Sequence, residues 1–202
     1  ARMGDIVDLG QAFGEMTLPA SPRGAFLLLA AGSGITPLMA LVRDLAGQGM
    51  PADTTLLYWV RRRGEACFVD ELRALAAAHP RFRFRLLLTR EAAQAADEAE
   101  GRIDDVLLDT HVGDLSARQV MACGPGGFVE TARSLLASRV ATFQAESFTA
   151  PPVLVVDEGE VDIRLQRSGR TLRVPRAESL LVALEQQGLK PPSGCRMGIS
   201  NT

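Results

Sequence analysis

The sequence predicts an α/β fold, built on a doubly wound parallel sheet, and three observations support this. Apolar strands alternate with amphipathic helices from about residue 24 to residue 148, a pattern typical of parallel strands joined by helical crossovers. Two glycine turns, Gly32-Ser-Gly34 and Cys123-Gly-Pro-Gly-Gly127, each follow an apolar strand and open a helix. Right-handed crossovers bring the carboxyl ends of parallel strands to one edge of the sheet, so the two turns should lie together.

The first strand and helix are indicated by a change in the spacing of apolar residues. Phe26 to Ala31 is continuously apolar, as expected of a strand that is buried on both faces. Pro37 suits the first turn of a helix. An apolar stripe at helical spacing follows, and Gly47 and Gly49 end it; the stripe consists of Leu38, Leu41, Val42 and Leu45.

The remaining elements of the sheet follow in the same alternation. Thr54–Val60 and Phe82–Thr89 are predicted strands, with a helix over residues 68–76 between them. Residues 91–100 are acidic and alanine-rich, which favours an exposed loop. The pattern then predicts a short helix over 103–108, a strand over 120–123 and a helix from Phe128 onwards.

The two ends of the chain differ from this central part. Residues 1–22 contain only two short extended segments, Asp5–Leu9 and Gly14–Pro19, which could not bury a core alone. After Pro151-Pro152 the pattern predicts a strand over 153–156, a hairpin that turns at Ser168-Gly169, and a helix over 179–187. A hairpin, a helix and a cysteine loop over 193–200 favour a small β-grasp domain. We therefore predict domains at 1–22, 23–148 and 149–202.

Composition and charge exclude several classes of protein. A formal net charge of −2 argues against a nucleic-acid partner, and no apolar run approaches the roughly 18 residues of a membrane span. Three widely spaced cysteines make no disulfide framework, which favours a cytoplasmic, reducing compartment. No Ser/His/Asp arrangement is evident, so hydrolysis is not expected.

The glycine turns carry the predicted chemistry. Glycine lets a pyrophosphate approach the backbone closely, and a helix amino terminus attracts it. Two such turns at one sheet edge predict a dinucleotide site, although Gly32-Ser-Gly34 is not the G-x-G-x-x-G fingerprint. Cys123 places a thiol at the strand tip, where redox chemistry would occur; alternatively it is a small buried apolar residue. Cys67 is interpreted as a packing residue. The run 61–63 is either a solvated turn or a nucleotide contact.

Four motifs closely resemble the pyridine-nucleotide domain of the ferredoxin–NADP⁺ reductase superfamily: Ala31–Leu38, Tyr58–Arg61, Phe68–Leu72 and Cys123–Pro125. The resemblance covers about 120 residues in the family's order. It implies that the first turn holds the pyrophosphate and that Thr36 and Cys123 are the catalytic positions that flank the nicotinamide beside a flavin. The implied cofactor contacts are Gly32, Ser33, Gly34, Ile35, Thr36, Pro37, Arg61, Thr89, Arg90, Arg102, Cys123, Gly124, Pro125 and Gly126.

The resemblance also favours NADPH over NADH. Thr89, Arg90 and Arg102 match the family's residues that clasp the 2′-phosphate, and arginine suits a phosphate through bidentate, charge-assisted bonds. An enzyme specific for NADH would more typically offer a carboxylate to the ribose. The sequence therefore predicts NADP(H) as cofactor, with NAD(H) as the alternative.

The flanking segments resemble two further domains of such reductases. Residues 1–22 look like the tail of a flavin-binding barrel, but the Arg-x-Tyr-Ser/Thr motif of that barrel is absent. The last 50 residues resemble a plant-type ferredoxin, whose C-x₄-C-x₂-C loop holds a 2Fe–2S cluster. Cys195 matches its first ligand, whereas Ser200 occupies the second position. Because serine oxygen replaces thiolate poorly in such clusters, we expect no stable cluster in this chain, which looks truncated at both ends.

The resemblance implies an oxidoreductase that passes electrons from NADPH, through FAD, to a 2Fe–2S centre. An oxygenase, a desaturase or another redox protein would then accept them. Two other functions remain open from the sequence. The chain could be a nucleotide-binding module without turnover, as the missing flavin motif and Ser200 suggest. It could also be a ferredoxin-type carrier whose partner protein supplies the flavin.

Overall fold

The computed structural model describes residues 4, 6, 16–148, 159–189 and 191. The chain forms two compact units, Ala1–Thr149 and Ala150–Thr202. The predicted strand at 153–156 and the cysteine loop at 193–200 lie outside the described residues, as does the predicted strand Asp5–Leu9 apart from Ile6, which is exposed and belongs to no strand. Of the predicted segment Gly14–Pro19, the described part forms no strand, although Met16 and Leu18 pack against the core of the first unit.

The first unit is a six-stranded parallel sheet covered by helices. Its strands are β1 (Ala25–Ala31), β2 (Asp53–Val60), β3 (Phe82–Leu88), β4 (Glu98–Glu100), β5 (Arg118–Gly124) and β6 (Thr142–Ser147). Its α-helices are α1 (Ile35–Gly47), α2 (Val69–Ala78), α3 (Asp105–Val112) and α4 (Gly126–Leu136). The strand order is β4-β3-β2-β1-β5-β6, with every pairing parallel.

The sheet is buried on both faces, as the continuous run of apolar residues in β1 predicts. Leu28 packs in one core with the apolar faces of α1 and α2, whereas Leu27 and Leu29 pack in a second core with those of α3 and α4. Successive residues of a strand point to opposite faces, so a strand between two layers of helices must be apolar throughout. The predicted doubly wound α/β fold is therefore confirmed.

The chain changes direction across the sheet between β1 and β5. From β1 it winds outwards through β2 and β3 to the edge strand β4, and it then returns to place β5 on the other side of β1. Because crossovers leave the two central strands in opposite directions, a crevice opens at their carboxyl ends. Both glycine turns follow these two strands.

Three elements differ from the sequence prediction. Part of the expected loop at 91–100 is β4, and Glu98 in it is buried rather than exposed, because two arginines pair with its carboxylate. The short helix begins at Asp105, where the side chain of Asp104 caps it, and it extends to Val112. The edge strand β6 was not predicted, since its sequence is largely polar and its residues are at most half-buried.

The second unit contains the predicted hairpin and helix. Strands β7 (Glu160–Arg164) and β8 (Thr171–Pro175) pair antiparallel, and α5 (Leu180–Gln186) follows them. Gly169 has φ of +68°, the left-handed conformation that the predicted hairpin turn requires. Leu172, Val174 and Ala183 form its small buried core. No helix among the residues that the structure describes is long and apolar enough to cross a membrane.

Candidate functional site: a crevice between two glycine turns

The two glycine turns touch each other through their main chains. Ala30 in β1 lies opposite Cys123 in β5, so the two strands end side by side. A Cβ atom on Gly34 would lie 2.0 Å from the carbonyl oxygen of Cys123, and one on Gly124 would lie 2.9 Å from the Cβ of Ala31. Neither position has room for a side chain. The prediction that the two turns form one feature is thus confirmed by contact.

Both helices that begin at these turns lack a capping side chain; a single 3₁₀ turn, Gly32–Gly34, leads into α1, and the N–H of Ile35 donates to carbonyl oxygens within it. Neither α1 nor α4 receives a hydrogen bond from a capping side chain, whereas Asp104 caps α3 and Ser179 caps α5. Uncapped N–H groups at a helix start attract anions through direct hydrogen bonds and through the helix dipole. Two such helices at one crevice give the site the chemistry needed to hold a pyrophosphate.

The first turn is open towards solvent. Gly32 has φ of +55° and is exposed, and an added Cβ would meet no atom within 4 Å. The hydroxyl group of Thr36 donates a hydrogen bond of 2.9 Å to the carbonyl oxygen of Ser33, which closes the turn. Ile35 is buried, and Pro37 lies in the first turn of α1 as predicted. Gly32, Ser33 and Thr36 are therefore the accessible residues of the turn.

The thiol of Cys123 is buried at the end of β5. Its exposed fraction is 0%, and it packs in the same core as α1. Burial, together with the negative charge of Glu146 on the neighbouring strand, raises the pKa of Cys123 to about 12. The thiol is protonated at neutral pH, so it cannot act as a thiolate in this structure. Its predicted role beside the nicotinamide stays a prediction.

Four residues at this edge were not identified from the sequence. The indole of Trp59 is buried, packs on Phe128 with ring centroids 5.3 Å apart, and leaves its Nε1 without a hydrogen-bond partner among the described residues. Glu146 lies opposite Cys123, and the exposed Phe148 donates its N–H to the carbonyl oxygen of Gly124. Only the pairing of β5 with the unpredicted β6 could have indicated the last two.

A second cleft, of about 480 Å³, opens beyond the end of β3. Two of the predicted 2′-phosphate residues, Thr89 and Arg90, line this cleft, and Arg102 directly follows the lining residue Gly101. The other lining residues are Leu88, Glu91, Ala92 and Glu100. Thr89 is half-buried, and its N–H donates to the carbonyl oxygen of Val60. Arg90 and Arg102 are exposed. The structure thus brings the three predicted residues to one region.

A network of ion pairs holds one wall of this cleft. Arg63 binds the carboxylate of Glu98 through Nε and Nη2, both at 2.7 Å, and it also pairs with Glu91. Glu98 accepts further bonds from the N–H groups of Gln94 and Ala95 at 2.8 and 3.2 Å. Its pKa is lowered to about 2, chiefly by the hydrogen bonds from Arg63. The network fixes the segment 91–98 beside the cleft.

Arg63 and Cys67 differ from their predicted roles, whereas the role of Arg61 as a cofactor contact stays a prediction. Arg61 is exposed and pairs with Glu65 at 3.1 Å. Arg63 forms ion pairs with Glu91 and Glu98 in the cleft wall. This structural role was included neither in the interpretation as a solvated turn nor in that as a nucleotide contact. The interpretation of Cys67 as a packing residue is wrong, because its side chain is exposed. Its N–H is 3.3 Å from the hydroxyl oxygen of Tyr58, which anchors the backbone instead.

The predicted cluster ligands cannot be placed. Cys195 and Ser200 lie outside the described residues. Within the parts of the chain that the structure describes, no group of three or more His, Cys, Asp or Glu side chains could hold a metal ion.

Comparison with known proteins agrees with this geometry. Residues 28–134 match the family model described as the oxidoreductase NAD-binding domain. The chain is 34% identical over 198 residues to an NADPH oxidoreductase of Mycobacterium tuberculosis, covering 97% of this chain and 50% of that protein. It is also 34% identical to the ferredoxin reductase component of a 3-ketosteroid-9-alpha-monooxygenase from the same species, covering 90% of this chain and 52% of that one.

A solved structure shows the same similarity. The flavohemoglobin of Malassezia yamatoensis, determined with bound FAD and heme, aligns with a TM-score of 0.57 at 28% identity, covering 67% of this chain and 35% of that one. The chain spans about half the length of the two curated relatives. The matches with known proteins therefore concern a part of each of those proteins.

Proposed function

The chain belongs to the oxidoreductase NAD-binding domain family, and from that premise we propose that it binds NADPH for electron transfer to a redox partner. The observation that carries the proposal is the contact between the two glycine turns. That contact places two uncapped helix amino termini at the switch point of a parallel sheet. Switch points of this kind are where open α/β sheets bind dinucleotides.

Each part of the cofactor has a matching region. Gly32, Ser33 and Gly34 would hold the pyrophosphate at the start of α1, with Gly124, Pro125 and Gly126 opposite them. The 2′-phosphate would bind in the cleft beyond β3, at Thr89, Arg90 and Arg102. Trp59 lies beside the first turn, since it pairs in register with Ala31; its indole N–H is buried and has no hydrogen-bond partner among the described residues.

The charges in the cleft support NADPH over NADH. Its two carboxylates are engaged, since Glu91 pairs with Arg63 and Glu100 accepts a bond of 3.0 Å from the N–H of Ala93. By contrast, Arg90 and Arg102 form no ion pair with any described residue. Free guanidinium groups favour a phosphate ligand over a bare ribose hydroxyl.

The nicotinamide itself would supply the hydride chemistry, because such chemistry belongs to the cofactor. The protein's residues would bind and orient it. The hydroxyl of Thr36 is anchored on Ser33, which fixes the side chain at the mouth of the crevice. Cys123, protonated and buried, would act as a neutral packing surface rather than as a base or a nucleophile. Neither residue is required to move a proton.

A flavin, a 2Fe–2S centre and an oxygenase-type acceptor complete the proposed electron path. The named relatives support it: one is a reductase component of a monooxygenase, and the flavohemoglobin structure contains FAD. The chain's own donors do not fit a cluster, since the sequence offers Cys195 but has Ser200 at the second ligand position. We therefore assign no step to a cluster held by these residues.

A second candidate is a nucleotide-binding module without turnover. It is favoured by Ser200, which stands where the resemblance places the second cluster ligand. The two functions share the NADPH site, so they differ only in whether the bound nucleotide is oxidised. NADPH oxidation, followed at 340 nm with added FAD and ferricyanide, separates them: sustained turnover supports the reductase, and binding without turnover supports the module.

The NADPH site itself is tested by calorimetric titration of the chain with NADP⁺ and, separately, NAD⁺. We expect tighter binding of NADP⁺, and we expect Arg90→Gln to weaken it about tenfold to a hundredfold without affecting NAD⁺, because a bond to a charged group is worth about 1.5–3 kcal/mol. Arg81→Gln is the matched control, since Arg81 pairs with Asp53 at the opposite ends of the strands. Equal affinity for both nucleotides would overturn the phosphate assignment, and binding of neither would overturn the site.

A further inference from the structure

Three arginines gather at the edge of the sheet opposite the glycine turns. Arg83 is the second residue of β3, and Arg118 is the first of β5. Both approach the hydroxyl oxygen of Thr55, which lies near the start of β2 and directly opposite Arg83. Arg85 lies two residues further along β3, so its side chain leaves the sheet on the same face as that of Arg83. This arginine cluster consists of Arg83, Arg85 and Arg118.

Arg118 is buried without a carboxylate partner among the described residues. Its exposed fraction is 7%. It donates to the carbonyl oxygens of Asp114 at 2.9 Å and Val112 at 3.0 Å, just beyond and at the end of α3. These carbonyls carry the negative end of the helix dipole, which offsets part of its charge. Burial and the nearby charge of Arg83 still lower the pKa of Arg118.

The other two guanidinium groups are also unpaired. Arg83 makes only long contacts, both of 3.4 Å, to the hydroxyl oxygen of Thr55, and Arg85 donates to the carbonyl oxygen of Ala96 at 2.6 Å. Neither forms an ion pair within the described parts of the chain. Arg81, two residues before Arg83, shows the contrast, because it pairs with Asp53 at 3.0 Å. The cluster thus brings together three guanidinium groups without an ion pair among the described residues, and the nearby carboxylates of Asp53 and Asp114 offset only part of the effect of burial and of Arg83 on Arg118.

Two members of the cluster, Arg83 and Arg85, line a small cleft of about 290 Å³ together with Thr55, Thr110 and His111, whereas the buried Arg118 reaches the cleft only at the hydroxyl oxygen of Thr55. This volume is slightly below the range of about 300–1,000 Å³ found for ligand pockets, so it suits one small ion. The hydroxyl oxygen of Thr55 accepts bonds from Arg83 and Arg118, which leaves its hydrogen free to be donated. Thr55 is 1% exposed, and its two arginine contacts restrict the direction of its hydroxyl group.

We propose that this cleft is an anion-binding site, which takes one oxyanion of the phosphate class between Arg83, Arg85 and the hydroxyl of Thr55. Guanidinium groups bind tetrahedral oxyanions through paired, charge-assisted hydrogen bonds. The anion would balance the repulsion between Arg83 and Arg118 and would bridge β3 to the end of α3. The site is distinct from the dinucleotide crevice, because it lies at the amino-terminal ends of the strands and uses none of the crevice residues.

The test is a site-resolved titration of the full 202-residue chain with inorganic phosphate, followed by ¹⁵N–¹H NMR. We expect amide shifts at Thr55, Arg83 and Thr110 that saturate with phosphate, and no such shifts with sodium chloride at the same ionic strength. Arg83→Gln should weaken this response about tenfold or more. Arg81→Gln, whose guanidinium is already paired, should leave it unchanged.

The spectra also separate the possible failures. Shifts confined to Gly32 and Ser33 would mean that phosphate binds only at the nucleotide turn and would overturn the proposal. Amide shifts that grow linearly, without saturation, with both phosphate and chloride would overturn the proposal as well. So would an unchanged affinity of Arg83→Gln for phosphate. The spectrum of each variant reports its folding directly, and Arg85→Gln provides the same test should Arg83→Gln lose the native spectrum.

Discussion

Replacing Gly34 with alanine tests whether the two glycine turns form one site. The new Cβ would lie 2.0 Å from the carbonyl oxygen of Cys123, 2.4 Å from its carbonyl carbon and 2.8 Å from the nitrogen of Gly124. All three atoms belong to the main chain at the end of β5, so no change of rotamer can relieve the overlap. Either the turn or the strand must move by about 1 Å, because real Cβ contacts essentially never lie below 3.0 Å.

The magnitude follows from the rigidity of both partners. Overpacking costs about 1–3 kcal/mol where side chains can adjust, and an obstacle made of backbone places Gly34→Ala at about 3 kcal/mol or above. Against a total stability of roughly 5–15 kcal/mol, this loss lowers the ratio of folded to unfolded protein about a hundredfold. The same displacement separates the starts of α1 and α4, so we expect NADP⁺ affinity to fall at least about tenfold.

The assay is urea unfolding followed by the fluorescence of Trp59, the sole tryptophan, which lies in β2 of the first unit. Gly47→Ala is the matched control. Gly47 is the last residue of α1, and a Cβ there would meet no atom within 4 Å, so alanine should preserve or slightly raise stability. The reasoning is refuted if Gly34→Ala unfolds at the same urea concentration as Gly47→Ala and binds NADP⁺ as tightly as the native chain.

Two further predictions concern charged and reactive side chains. Glu98→Gln should cost about 3 kcal/mol, because it leaves Arg63 without its main carboxylate. The folded-state pKa of Glu98, about 2, lies below its ordinary value, so the stability it contributes is present above about pH 4.5 and is lost as the pH falls towards 2. Urea unfolding between pH 6 and pH 3 should show this loss in the native chain and not in Glu98→Gln. An equal fall in the free energy of unfolding of both proteins over this pH range would contradict the prediction. Iodoacetamide at pH 7.5 should alkylate the exposed Cys67 and spare Cys123 until urea is added, as read by peptide mass spectrometry; early labelling of Cys123 would contradict its burial.

The central strands could be predicted from the sequence because a strand that is buried on both faces shows a run of apolar residues. Strands β1 and β2 lie inside the sheet and are covered on both faces, so every residue of β1 and the last five residues of β2, Leu56–Val60, are apolar. The edge strands have no such signature. The three residues of β4 form a strand because Arg63, 35 residues away from Glu98, neutralises the carboxylate. A pairing over that distance cannot be read from local pattern.

The candidate site shows the same division. The glycine turns were predictable because only glycine tolerates the backbone geometry and close approach that they require. The accessibility of the two cysteines was harder to predict: the sequence left Cys123 either as a redox thiol or as a buried apolar residue, and the exposure of Cys67 was not expected. The identity of a residue states what it can do, whereas its accessibility depends on the register of strands that are distant in sequence.

The two ends of the proposed nucleotide site are therefore held by different forces. The pyrophosphate end is fixed by main-chain contact between Gly34 and Cys123, which depends on packing. The phosphate end is shaped by Arg63 and Glu98, which need not touch the ligand and which hold the cleft wall through charge. Because main-chain packing accepts no substitution while an ion-pair network can be rewired, the second end is where selection between NADPH and NADH can change without altering the fold.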